Sequence, residues 1–505
     1  MQHTFPKRIR VAALCAISFL AIDGALAQTS PPRRDDFYWL SVMNKASTVM
    51  VVEQKIVPPN LGKSIAEAVA TVIANAEKPG ARRSGDYLQV EPLLIAVGGP
   101  DVTRMHSGRS RQDIGATNRR LNQRDQLLDT MEALNTARAS LLDFAAKNPD
   151  AIVPAYTVGV QAQPISFGHY ILGYTQALER SARRLAQGYA TVNMSPLGSA
   201  ALGTSSFPVS RPRLAELLGF DGVLENSLDA NQISPVDTGF ELAAAASGIA
   251  LTVSTFVADV EAQYRMTTPW LTLEEGDLTG TSSIMPQKRN PVAVNDVRIA
   301  ASDTLGATAT YMFRAHNVPH GVPDYKGSDP AQALAQASST LRKLVAVIKE
   351  LKFNAARALE EVNADYATTT ELADILQRDA DVPFRVGHHF ASDLVTYGRT
   401  KRLRPTEITF QAAQDIYVKA AEHFGIKDAK LPIAEAEFRR ALTAENMVRS
   451  SLGLGGPQPA EVRRMLDNQR KTLDADRAAV ADRKARLAAA GKALDDAFAK
   501  VREGR

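Results

Sequence analysis

Residues 280–291 read Gly280-Thr-Ser-Ser-Ile-Met-Pro-Gln-Lys-Arg-Asn-Pro291. One glycine and two adjacent serines make a small, hydroxyl-rich loop that lets a ligand approach the backbone closely. Lys288 adds a cation, Asn290 can orient a neighbouring group, and Pro291 suits the opening of a helix. Taken alone, these features also fit a plain surface loop ahead of a helix.

Around this stretch the chain has a globular composition. Of its 505 residues 45% are hydrophobic and 23% charged, which excludes a disordered or collagen-like chain. Aromatic residues make up only 6%, and alanine-rich stretches recur. That balance favours long packed helices over a β-sandwich. A formal charge of +4, partly carried by Lys7, Arg8 and Arg10, gives no reason to expect nucleic acid as a partner.

The 3.6-residue periodicity predicts long helices over Gln123–Lys147, Gly168–Tyr189, Thr238–Tyr264, Asn295–Phe313 and Ala331–Leu351. No charge lies between Leu242 and Ala258, where Ala, Ser and Thr predominate; this reads as a helix buried on most sides in a bundle, its small residues admitting close neighbours. Helical patterning from Asp36 to Ala96 forms an earlier block, broken at Gly98-Gly99-Pro100. The mixed-charge, alanine-rich run Ala460–Glu503 reads as a solvated helix or helix pair.

At the N-terminus a basic stretch precedes an apolar run from Val11 to Ile22, followed by Ala25-Leu26-Ala27. This is the pattern of an export signal ending at residue 27, and the run is short for a membrane span. The expected location is therefore outside the cytoplasm, probed most simply as periplasmic, with no membrane attachment after cleavage. Cys15, the sole cysteine, lies inside the signal, so neither disulfides nor thiol chemistry is expected of the mature chain. His316 and His320 are four apart, but Pro319 between them argues against a shared helical face, and no metal site is expected.

Two further constellations accompany the 280–291 loop. The first is His106-Ser-Gly-Arg-Ser-Arg-Gln-Asp-Ile-Gly-Ala-Thr117, and the second is Tyr156-Thr-Val-Gly-Val-Gln-Ala-Gln-Pro-Ile-Ser-Phe-Gly-His169. In the first, an arginine fork with hydroxyl and amide donors suits a dicarboxylate, although an isolated Ser-Arg pair also suits a helix cap. Together the three stretches resemble those of the fumarase/aspartase superfamily, and the Pro-Gln-Lys form of the first resembles its argininosuccinate lyase-like members. Segments near Asn193, Glu225, Asp381 and Gly455 extend the resemblance over most of the chain.

The resemblance implies an all-α, three-domain fold with a central bundle of long helices, and domains at 28–111, 112–363 and 364–505 after the signal at 1–27. It implies a homotetramer with active sites where three chains meet, and no cofactor. It also implies a carbon–nitrogen lyase that eliminates an amine from an N-substituted aspartate, a small dicarboxylate, to leave fumarate. Ser282 would be the general base and Lys288 the catalytic cation, with Ser110, Arg111, Gln112, Thr157, Asn290 and Tyr325 holding substrate. A serine serves as base only where donors and charge stabilise its alkoxide, and the dianion formed needs preorganised donors. The alternatives within the same loop chemistry are a carboxymuconate-type cycloisomerase, a carbon–oxygen lyase, or a catalytically silent relative.

Four positions depart from the pattern. Thr281 replaces a glycine, Gln112 an asparagine, and Val158 a histidine associated with acid catalysis or substrate contact. The stretch Asp324-Tyr-Lys-Gly-Ser-Asp-Pro330 keeps Tyr325 but lacks the glutamine that should follow, which points away from argininosuccinate itself. Val158 cannot transfer a proton: the leaving group needs no acid, another residue supplies it, or the protein is silent.

Overall fold

The computed structural model describes residues 34–322 and 329–505. The expected signal segment, 1–27, and Tyr325 lie outside the described residues. Three helices open the described chain: α1 (Asp36–Glu53), α2 (Pro59–Ala76) and α3 (Tyr87–Gly98). A bundle follows, built from α4 (Arg111–Lys147), α5 (Phe167–Val192), α7 (Ser234–Gln263), α8 (Val292–Ala315) and α9 (Pro330–Glu350), with the short α6 (Arg211–Leu217) beside it.

The five long helices expected from periodicity are present, with shifted ends. The largest shift is in α4, which begins at Arg111 rather than Gln123. Its start is set by a reciprocal cap: Ser110 Oγ accepts the Gln112 N–H at 3.3 Å, and Asp113 Oδ1 accepts the Ser110 N–H at 2.8 Å. Ser110 is thus a helix cap, the role an isolated Ser-Arg pair also suits, and Arg111 is the first helical residue.

Within the bundle α4, α7 and α9 run one way, and α5 and α8 the other. Arg120, near the start of α4, donates to the carbonyls of Thr191 and Val192 at the end of α5 and to Ser234 Oγ at the start of α7. At the far end Phe144 of α4 packs edge-on against Phe167, which opens α5. Tyr170 and Tyr174 donate to Asp259, near the end of α7, and Glu261 pairs with Arg298 in the first turns of α8. The shared core is Leu, Val, Ile and Ala, among them Leu134, Ile171, Ile249, Val297 and Leu341, all below 1% exposed.

The uncharged stretch of α7 is not buried on most sides within one chain. Among the described residues the segment Asp229–Gln263 is the one long and apolar enough to cross a membrane, and half of its apolar window is buried. Leu242, Ala246, Ile249 and Val253 face the core, whereas Phe240 and Leu251 stay open and line one cleft with Met312 of α8. The small residues do permit close approach: a Cβ on Gly239 would sit 2.0 Å from Tyr311 Oη.

The strands are short, and they form four separate two-stranded pairs among the described residues. β1 (Ile152–Thr157) and β2 (Val160–Ser166) form an antiparallel hairpin between α4 and α5. β3 (Met194–Ser195) pairs in parallel with β4 (Gly222–Val223). β5 (Leu271–Leu273) pairs with β8 (Leu351–Phe353), closing the end of the bundle, and β6 (Gly280–Thr281) pairs with β7 (Arg289–Asn290).

After α10 (Ala355–Asn363) the chain enters a separate core spanning Tyr366 to Leu442, made by α11 (Thr369–Ala380), α12 (Phe384–Lys401), α13 (Phe410–His423) and α14 (Glu435–Ala441). The short α15 (Ala444–Ser450) then leads to α16 (Pro459–Glu503), a single helix of 45 residues. The block expected over 364–505 therefore divides, because α16 leaves it. Gln469 bonds to Thr175 of α5, Lys484 pairs with Glu132 of α4, and Leu494, Phe498 and Val501 complete the core built by α1–α3. Its mixed charges are those of a helix solvated on one face and anchored along the other.

One anchor is Arg138, 1% exposed on α4, which pairs with Asp476 of α16 at 2.5 Å and reaches Asn135 and Glu179. Removing one partner of such a pair leaves a buried charge without its principal counter-ion. Asp476→Ala should lower stability by about 2–3 kcal/mol, since Asp476 is itself partly exposed. Chemical denaturation compared with Asp474→Ala, on an exposed face, checks this.

Candidate active site

The segment 106–113 joins the N-terminal core to α4. His106 stacks on Tyr87, ring centroids 4.1 Å apart and 18° from parallel. Arg109, 7% exposed, lies over the Tyr87 ring and donates to Asn44 Oδ1 at 3.0 Å. Gly108 takes a positive φ of 70°, and a Cβ there would meet Val209 at 2.4 Å, so the tight turn before Arg109 requires glycine. Burial raises the Asp113 carboxyl to about 6 against the N–H bonds from Ser110 and Gly198 and the charge of Arg109. This inner layer holds Ser110, Arg111 and Gln112 outward. Arg111 is exposed and lies 3.4 Å from Asp86, which also caps α3 by accepting the Leu88 N–H.

Thr157 sits at the tip of the β1–β2 hairpin, paired in register with Val160. The two-residue loop between them is Val158-Gly159, with φ of 52° and 77°. Such paired left-handed residues are the turn a tight hairpin favours, normally with Asn or Asp first. A β-branched valine there is strained, at a cost of about 1–2 kcal/mol. Its side chain is fully exposed, at 102%, and Val160 is 62% exposed. The hairpin was not foreseen from the sequence, although a Val-Gly pair between alternating runs is its signal.

The 280–291 stretch is a second hairpin. Gly280 pairs with Asn290 and Thr281 with Arg289, so Ser282 and Lys288 are the residues at which the loop leaves the two strands. Ser282 Oγ accepts the N–H groups of Ile284 at 3.4 Å and Met285 at 3.2 Å. The Lys288 ammonium has no ion-pair partner among the described residues, whereas Arg289 is held by Glu275 at 2.9 Å. Thr281 needs no positive φ in its strand, which explains why it can stand in place of glycine. Helix α8 ends at Ala315, so His316 and His320 lie past it rather than one turn apart.

The sequence-predicted residues do not all meet in one chain. Ser282 and Lys288 project from the end of the bundle shared by Phe144, Phe167 and Asp259, and the Thr157 hairpin leaves from that same end. Ser110, Arg111 and Gln112 lie at the opposite end. Between them runs α4, unbroken for 37 residues and so about 55 Å long. No hydrogen bond or ion pair among the described residues joins Ser282 or Lys288 to Ser110, Arg111 or Thr157. Sequence reading missed the inner layer, Asp86, Arg109 and Asp113, of which only the Ser110-x-x-Asp113 cap had a local signal.

His106 gives this segment a pH dependence. Burial first, and then the Arg109 charge, lower it to about 4. The unfolded chain binds its proton near pH 6.5, so the stability conferred by neutral His106 is present above 6.5 and lost as pH falls towards 4. The loss should be about 1–2 kcal/mol after discounting for partial exposure. His106→Phe, which keeps the ring stack, should show a correspondingly flatter stability profile between those pH values in denaturation experiments.

Residues 94–306 match the Lyase family, and residues 366–449 match the argininosuccinate lyase C-terminal family. The argininosuccinate lyase of Methanospirillum hungatei JF-1 is 30% identical over 455 residues, covering 89% of this chain and 90% of that protein. That of Methanococcus vannielii is 32% identical, covering 83% and 85%. Among solved structures, an EDDS lyase in complex with formate superimposes with a TM-score of 0.83 at 28% identity, covering 93% of this chain and 92% of that one. A 3-carboxy-cis,cis-muconate lactonizing enzyme from Pseudomonas putida, at 18% identity and a TM-score of 0.66, shares the fold. With its all-helical architecture, the chain belongs to the fumarase/aspartase superfamily, as an argininosuccinate lyase-like member and a lyase of the carbon–nitrogen type.

Proposed function

We propose that the protein eliminates an amine from an N-substituted aspartate to release fumarate, with Ser282 as the general base. The observation that carries this reading is the hairpin of residues 280–290, whose loop begins at Ser282 and ends at Lys288 and which directs two backbone N–H groups at the Ser282 oxygen. Those donors and that cation stabilise an alkoxide, which is what a serine base requires. The relatives named argininosuccinate lyase and EDDS lyase support a carbon–nitrogen bond as the one broken.

In this mechanism the Ser282 alkoxide takes a proton from the carbon beside one carboxylate of the succinyl unit. Lys288 and Asn290 stabilise the enediolate-like dianion as it forms. The C–N bond then breaks, its electron pair leaves with nitrogen, and fumarate remains. Arg111, with Ser110, Gln112 and Thr157, holds the carboxylates; Tyr325 is assigned to the same pocket by resemblance alone.

This pocket requires several chains, because α4, about 55 Å long, runs from the Arg111 end of the bundle to the end that carries Ser282. The exposed apolar side chains of Phe240, Leu251 and Met312, which line one cleft along α7 and α8, support packing of bundle against bundle. A homotetramer joined through α7 and α8 meets both needs. Export by the N-terminal segment suits use of an external substrate.

Fumarate has an ultraviolet absorbance that N-substituted aspartates lack, so release is followed directly. Ser282→Ala should reduce fumarate formation by about 10³–10⁴-fold while leaving secondary structure and oligomeric state unchanged. Retention of near-native turnover in that variant would remove Ser282 from the base role. Formation of a lactone from a muconate diacid, with no fumarate from any amine adduct, would favour the cycloisomerase instead.

A further inference from the structure

We infer that Asp113 is a positioning residue: its buried carboxylate locks the Ser110–Arg111–Gln112 turn against the loop 196–201, and so sets the geometry with which Arg111 receives a carboxylate. The inference rests on the fumarate-releasing reading above, which places a dicarboxylate on that turn.

Asp113 is fully buried, and both of its oxygens are occupied. Oδ1 accepts the Ser110 N–H at 2.8 Å and the Ile114 N–H at 3.0 Å. Oδ2 accepts the Gly198 N–H at 2.9 Å, from a loop 85 residues further along the chain. The bonds to Oδ1 would suffice for a helix cap. The bond to Oδ2 is more than a cap needs: it pins the first turn of α4 to a second segment.

That segment is itself fixed from behind. Ala200 takes a φ of 53°, a conformation costly for a residue with a side chain. Asn231 lies buried in the turn Asp229–Ile233 that leads into α7. It donates to the carbonyls of Ala200 at 2.8 Å and Ala201 at 3.0 Å, and it accepts the Ser199 hydroxyl at 3.1 Å. Asp113 thus joins the Arg111 turn to a loop that the bundle holds in place. The Arg111 side chain is exposed and meets Asp86 at 3.4 Å, so its direction follows from where the backbone of this turn is held.

The tie depends on charge as well as shape. Burial raises the Asp113 carboxyl to about 6, against the Ser110 N–H, the Arg109 charge and the N–H groups of Gly198 and Ala200. Arg109 belongs to its own segment, and Arg211 of α6 is a second cation acting on it. Loop 196–201 brings no titratable side chain, and the turn behind it brings Asp229. His106 titrates lower, at about 4. Above about pH 6 Asp113 is an anion that accepts at both oxygens. Below it one oxygen carries a proton and is the poorer acceptor for an N–H. Either the cap or the tie to Gly198 then weakens, and Arg111 loses its aim.

Fumarate binding to the whole protein, followed by calorimetry, tests this without requiring turnover. Its carboxylates stay ionised down to about pH 5, as carboxyl groups near 4 do. The wild-type Kd should rise about tenfold between about pH 7.5 and 5, with one proton linked. Asp113→Asn keeps the size and one acceptor for the cap; it should bind fumarate about tenfold more weakly at the upper pH and show a flat profile. In turnover of an N-substituted aspartate the variant should raise KM by about the same factor and change kcat by less than about twofold.

A wild-type Kd constant over this range overturns the inference, whether or not the variant folds. So does an Asp113→Asn variant that binds as tightly as wild type, or one that loses kcat at unchanged KM. Any of these results, with fumarate still released from an N-substituted aspartate, leaves the lyase reading standing. No fumarate from any adduct, with the pH-dependent binding present, overturns the lyase reading and supports the positioning role. Absence of fumarate binding overturns both.

Discussion

A continuous α4 fixes what a single chain can and cannot do. Its 37 residues hold the arginine-bearing segment at one end of the bundle and the serine hairpin at the other, about 55 Å away. No side chain bridges that span, and the helix has neither a proline nor a described break along it to fold the ends together. A dicarboxylate needs cations on both carboxylates and a base between them, within hydrogen-bonding distance. The requirement is met only if the end of one bundle meets the opposite end of another. Phe240 and Leu251 of α7 and Met312 of α8 leave apolar surface open on the outside of the bundle.

The local devices at each end share one logic. An inner layer of packed residues presents a candidate site residue outward. Tyr87, His106, Arg109 and Asp113 do this for Ser110 and Arg111. The two-rung ladder of β6 and β7 does it for Ser282 and Lys288, and the β1–β2 ladder for Thr157. The outward groups carry little of the chain's stability, and the strained Val158 subtracts from it.

Periodicity made the bundle legible, because an amphipathic or wholly apolar helix writes its burial into the spacing of its residues. The start of α4 was misplaced by twelve positions, since the polar first turns, Arg111 to Asn122, carry no apolar stripe; the cap at Ser110 and Asp113 held the missing signal. The course of α16 was not legible at all. A mixed-charge, alanine-rich helix shows no strong face, and its partners in α1, α2, α4 and α5 are hundreds of residues away. The candidate site residues were read as motifs, but their separation was not legible: three short strings say nothing of how far apart one chain holds them.

Mixing two inactive variants tests directly whether the site is shared between chains. Arg111→Met and Ser282→Ala would each be purified, mixed, unfolded and refolded together to scramble the subunits. If Arg111 and Ser282 of a site come from different chains, random assembly should restore about a quarter of native fumarate release. Ser282→Ala mixed with Lys288→Met, both on one hairpin, should restore none. Failure of the first mixture to regain activity, with mixed oligomers demonstrated, would contradict a site built between chains.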